Sequence, residues 1–96
     1  MIIVYDKKGF DKLIEIQATS FKNVDLSGAN LKDANLVQYD LSHVILRDAN
    51  LEGADLRLAD LSHADLTGAN LLGADLTGAV LTDTKMSQKI IPIVSG

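Results

Sequence analysis

The chain contains no cysteine. Disulfides, thiolate metal sites and cysteine nucleophiles are therefore excluded. No apolar run approaches the ~18–20 residues needed to cross a bilayer, so no membrane partner is expected. The N-terminus lacks the basic start, apolar stretch and small-residue cleavage site of a secretory leader, and the expected location is cytoplasmic. Net charge is low, at −4 over 96 residues, and 47% of the residues are hydrophobic. That combination excludes general disorder. What the chain does hold is narrow: fifteen Leu, eleven Asp and ten Ala make 36 of its 96 residues. Such a bias in one small domain signals an internal repeat.

From Thr19 to Gln88 the chain reads in fives with no insertion or deletion. The large apolar centres are Phe21, Leu26, Leu31, Leu36, Leu41, Leu46, Leu51, Leu56, Leu61, Leu66, Leu71, Leu76, Leu81 and Met86. Two positions before the centre, nine of the fourteen residues are Ala; one position before it, ten are Asp or Asn. Two positions after it, nine are Gly, Asp or Asn, and every glycine of the repeat falls in that slot.

A period of five suits neither regular element. On an α-helix successive leucines advance by about 140° and form no stripe. On a continuous strand residues five apart point to opposite faces. All the leucines reach one core only if the chain turns inside every pentad, and Gly, Asn and Asp accept the backbone angles of tight turns. The expected solution is a coil of very short strand-like segments, with Ala and Leu inward and the other three slots outward.

The runs Ala29-Asn30-Leu31-Lys32-Asp33, Ala54-Asp55-Leu56, Ala64-Asp65-Leu66-Thr67-Gly68 and Ala74-Asp75-Leu76-Thr77-Gly78 resemble the A(D/N)LxX signature of the pentapeptide repeat family. The resemblance implies an all-β fold, a right-handed quadrilateral β-helix with four pentads per coil. Fourteen pentads then make about 3.5 coils. It also implies a bacterial, in particular cyanobacterial, origin. The sequence shows partial twenty-residue echoes: Asp40-Leu41-Ser42-His43 returns as Asp60-Leu61-Ser62-His63, and Asn30, Asn50 and Asn70 are evenly spaced. Yet identities in the slot before the centre are no commoner at a lag of twenty than of fifteen. The four-sided section thus rests on the resemblance.

A stack of coils leaves an open core and unpaired strand edges at both ends. Residues 1–18 are expected to cap the first coil, with a strand at 2–5 and a short helix near 9–17 whose apolar side holds Phe10, Leu13 and Ile14. Residues 19–88 form the repeat. Residues 89–96 form an apolar C-terminal tail, with Ile90, Ile91, Ile93 and Val94 as either a cap or a dimer contact at that solenoid end. Pro92, the only proline, would spoil the tail as a template for another strand.

No catalytic set and no cofactor site emerges, and the protein is read as a non-enzyme. Asp and Asn share one slot, as an outward turn-supporting role predicts, and no EF-hand spacing is present. His43 and His63 should stand on one face of adjacent coils about 5 Å apart. Two imidazoles there can share a metal or repel on protonation near pH 6, but without a third ligand they are read as surface turn residues, and no metal site is assigned. The glycines have no following Lys in P-loop register. Direct nucleic-acid binding is not expected, because residues 19–88 hold ten acidic and five basic residues and no basic stripe.

The expected partner is another protein, in an interaction or scaffold role. Outward slots hold Val37, Ile45, Leu58, Leu72 and Val80, and Val37 and Leu58 should share a face in neighbouring coils. Tyr39 stands in a slot usually held by Ala, so it fills space beneath the cap or pushes the wall outward. Val37, Tyr39 and Leu58 form the candidate partner-binding patch. The alternative is an acidic DNA mimic that regulates a DNA-binding enzyme such as gyrase, as some members of the family do. About 17 Å of stack would match B-DNA bearing roughly ten charges, against a net −5 over residues 19–88.

Overall fold

The computed structural model describes residues 1–86; the tail at 89–96, with its expected cap or dimer contact, lies outside them. Each pentad closes a tight turn around its centre. The carbonyl of the centre accepts the N–H three residues on, as from Val24 to Phe21 at 2.9 Å and from Ala54 to Leu51 at 3.0 Å. The second residue after the centre has positive φ in all thirteen described pentads centred on Phe21 to Leu81, between 55° and 74°. Positive φ at the third of four turn residues is the mark of a type II turn, which is why Gly, Asn and Asp gather in that slot.

Hydrogen bonds then join each pentad to the one twenty residues later. The Leu31 N–H donates to Asn50 O at 2.7 Å, and the Asn50 N–H donates back to Ala29 O at 2.9 Å. Parallel bridges form four columns, which define four faces of the coil. Asp25, Ile45, Asp65 and Lys85 mark face one; Asn30, Asn50 and Asn70 mark face two; Asn35, Asp55 and Asp75 mark face three; Asp40, Asp60 and Val80 mark face four. The chain is a β-helix solenoid with four turns per coil. Paired segments within the described coils are so short that only β3 (Asp65–Leu66) and β4 (Lys85–Met86) extend beyond a single bridge there.

The pentad-centre leucines from Leu31 through Leu76 are at most 2% exposed, with Ala49, Ala54, Ala59, Ala64, Ala69 and Ala74 beside them. No polar side chain among the described residues is buried. Leu26, Leu81 and Met86, nearer the ends of the stack, are only partly covered.

The N-terminal cap differs from the expectation. Its strand at 2–5 is present as β1 (Ile2–Tyr5), but the helix near 9–17 is absent. In its place β2 (Lys12–Ile16) pairs antiparallel with β1, setting Ile2 opposite Ile16 and Val4 opposite Ile14. The reason is local. Gly9 has φ 80°, outside the right-handed helical range, and its N–H donates to Asp6 O. The Asp6 carboxylate accepts the N–H groups of Phe10 and Asp11 at 3.0 and 3.3 Å, which tightens the turn. Ile2, Ile14 and Ile16 pack on the core and Val4 is fully buried, whereas Phe10 is 84% exposed at the turn. The hairpin closes face three of the first coil: Asn35 N–H donates to Tyr5 O and Lys7 N–H to Asp33 O, both at 2.8 Å.

Candidate functional site

All ten Asp and Asn residues before a centre make one interaction. Asp25, Asn30, Asn35, Asp40, Asn50, Asp55, Asp60, Asp65, Asn70 and Asp75 each accept, through Oδ1, the backbone N–H two residues on. This is the Asx turn, available equally to carboxylate and carboxamide. Ser42, Ser62, Thr67 and Thr77 add a hydroxyl donor to the same oxygen at 2.5–2.6 Å. Side-chain hydroxyl bonds, then backbone bonds, hold Asp25, Asp60, Asp65 and Asp75 below the usual aspartate range. Asp55 is lowered chiefly by Arg57, whose Nε and Nη2 reach its two oxygens at 2.8 and 2.7 Å. These carboxylates are occupied in building turns.

His43 and His63 stack with ring centroids 4.9 Å apart and planes 13° from parallel. His63 Nδ1 lies 3.7 Å from Asp83 Oδ2. Parallel rings direct their nitrogens alongside one another rather than toward a shared point, and no group of three metal-ligating side chains occurs among the described residues. Beside the hairpin turn, a cleft of about 230 Å³ is lined by Lys7, Gly53, Ala54, Asp55, Arg57, Gly73 and Asp75. It exists because Gly53 and Gly73 present no side chain at the corner of faces two and three. The Asp55–Arg57 pair already occupies its charged wall.

The three candidate patch residues separate. Val37 and Leu58 share face three in successive coils, Val37 half-buried and Leu58 56% exposed. Tyr39 turns inward instead, its ring 6.0 Å from that of Phe21 and tilted 41°, packed against the core. It packs on Phe21 at the end of the core rather than joining the outer patch. Leu72 and Val80 are 59% and 47% exposed, whereas Ile45 is half-buried.

Leu58 is unusual twice over. Among the described residues it is the only apolar one of the non-glycine residues with positive φ, at 61°. Bulky side chains rarely adopt that backbone. Its side chain also leans over Gly78 in the next coil, where a methyl would come within 2.7 Å of Leu58 Cδ2. Asp33 leans over Gly53 and Asp48 over Gly68 in the same way. A side chain in this slot is thus repeatedly received by a glycine twenty residues later. The sequence alone does not expose the arrangement, because in the turn slot a bulky residue precedes a glycine as often at a lag of fifteen as at twenty.

Charge is also unequal round the coil. Among the described pentads from Thr19 onward, faces three and four carry Asp40, Asp55, Asp60, Asp75 and Asp83 against Lys22 and Arg57, a net −3. Faces one and two carry Asp25, Asp33, Asp48, Glu52 and Asp65 against Lys32, Arg47 and Lys85, a net −2. No helix among the described residues is long and apolar enough to cross a membrane.

Among known proteins, the family model described as pentapeptide repeats matches in eight copies, over residues 19–57 and 45–83. No curated protein matches the chain. Among solved structures it is similar to a pentapeptide repeat protein from the thylakoid lumen of Arabidopsis thaliana. That similarity is 42% identity and a TM-score of 0.36 over 62% of this chain and 45% of that one. A pentapeptide repeat protein from the cyanobacterium Cyanothece gives 38% and 0.39, over 71% and 53% of the two chains. One from Nostoc gives 33% and 0.34, over 80% and 75%. The chain spans about half the length of the first two.

Proposed function

The chain belongs to the pentapeptide repeat family, and on that premise we propose that it is a non-enzymatic interaction module whose rigid faces present variable side chains to another protein. The observation that carries this reading is Leu58, an exposed leucine held in a backbone conformation that elsewhere in the repeat takes Gly, Asn, Asp, Gln or His. Strain of that kind, together with exposed apolar surface, is a local cost that folding alone does not require. The use of every Asx side chain before a centre in a turn supports the non-enzymatic part of the reading. A right-handed coil belongs to the same proposal, because parallel crossovers are right-handed in about 98% of cases.

Capture from lysate of the source organism, with bound proteins identified by mass spectrometry, tests it. Replacing Val37 and Leu58 together with Asp should abolish capture of a specific partner without lowering the melting temperature. Equal capture by both proteins would sink this face as the interaction site.

A second reading, an acidic DNA mimic acting on an enzyme such as gyrase, draws support from the net −3 on two adjoining faces. It is the weaker one, since B-DNA of about 17 Å carries roughly ten charges. Gyrase supercoiling that is unchanged in excess protein would remove it.

A further inference from the structure

Leu58 and Val80 occupy the corner where face three meets face four, the most acidic face of the described coils. Leu58 closes the face-three pentad of one coil, two residues before Asp60. Val80 pairs with Asp60 from the next coil and donates its N–H to Ala59 O at 2.9 Å. Two exposed apolar side chains therefore flank a carboxylate column, with Asp75 and Asp83 in the coil below. Of the two cations in the repeat pentads of these faces, Lys22 lies in the first face-four pentad and Arg57 is forked onto Asp55. The Leu58 backbone is fixed by its turn, and Gly78 leaves room for its side chain to lie down.

Building on the interaction-module reading, we propose that the Leu58–Val80 corner is the docking point for a partner segment that carries an apolar side chain flanked by lysine or arginine. Apolar contact at the centre with charge at the rim is the usual anatomy of a protein interface. The negative field of faces three and four selects the sign of that rim and repels acidic segments and phosphate backbones alike. Because Leu58 is held in place before contact, little side-chain freedom is lost on docking.

The test uses the full chain, immobilised and panned against a random peptide display library. Enriched peptides should place Leu, Ile or Phe between basic residues, and weaken as salt rises, as screened charge pairs do. They should bind Leu58→Asn and Val80→Thr at least about tenfold more weakly, the loss expected when a central contact is removed. The double variant Asp60→Asn, Asp75→Asn should weaken them as well. Asn suits the Leu58 backbone, and it makes the same Asx turn at Asn30, Asn35, Asn50 and Asn70, so these variants keep the fold. Peptides that bind Leu58→Asn as tightly as wild type would overturn the corner while leaving the interaction module standing. Enriched acidic peptides, or binding indifferent to Asp60 and Asp75, would overturn the partner's chemistry. A library yielding no enriched peptide would overturn both.

Discussion

A mid-stack leucine has coils above and below it, so truncation leaves a hole that neither neighbour can fill. Leu51→Ala or Leu61→Ala, each from full burial, should cost ~2–5 kcal/mol in urea unfolding. A loss that small domains cannot spare follows, since total stabilities run to about 5–15 kcal/mol. Glycines of equal φ should respond unequally. Gly28, at φ 73° and facing open space, should lose about 1–2 kcal/mol on change to Ala, the cost of the left-handed backbone alone. Gly68 has nearly the same φ but lies under Asp48, so its Ala variant must also displace that side chain and should melt lower than Gly28→Ala. Leu58→Asn, conversely, should raise the melting temperature by relieving backbone strain. No rise would mean that packing on Gly78 compensates for it.

At the scale of elements, the hairpin is a plug with a hydrogen-bonded seam. Its inner side buries Val4 and covers the first coil with Ile2, Ile14 and Ile16, while Tyr5 and Lys7 pair with the coil edge. The turn depends on Asp6, whose carboxyl is lowered although desolvation opposes it, through the N–H groups of Asp11, Phe10 and Gly9. Asp6→Ala should loosen the turn by removing the acceptor of its backbone N–H groups. Hydrogen exchange should then accelerate in β1 and β2 before it does in the coils. Faster exchange throughout would mean that cap and solenoid open as one unit. Elsewhere the first-coil edge remains open: the Asp25 and Asn30 N–H groups have no partner among the described residues. Both side chains are exposed and polar, which keeps that edge hydrated.

For the molecule as a whole, the repeated Asx turns couple stability to acid. Asp25, Asp55, Asp60, Asp65 and Asp75 all have folded values below the ordinary 3.8. A depressed folded value means that the unfolded chain binds protons first as pH falls. The stabilisation is therefore complete above the ordinary aspartate range and is lost as pH drops below 3.8 through the depressed values. Urea midpoints should be flat from neutral pH to about 5 and fall beneath 4. Asp60→Asn with Asp75→Asn should reduce that fall, because Asn keeps the turn without titrating. An unchanged acid slope in the double variant would place the sensitivity elsewhere.

The five-residue period by itself determined the unit of this fold. A side chain's size and polarity dictate whether it suits the core or the turn, so Leu and Ala inward, Asx at the turn entrance and positive φ two residues after the centre were all legible from slot composition. Val37 and Leu58 could likewise be placed on one face. Tyr39 could not be resolved, since its inward packing depends on finding Phe21 beside it. The cap was misread because Phe10, Leu13 and Ile14 satisfy helical spacing, while the deciding partners were the Asp6 turn and the open coil edge at Asn35. The number of pentads per coil also belonged to tertiary structure alone. Coils join through backbone N–H and carbonyl groups that every slot possesses, so side-chain identities need not repeat at twenty. That same stacking decided where a leucine meets a glycine and where the acidic faces meet.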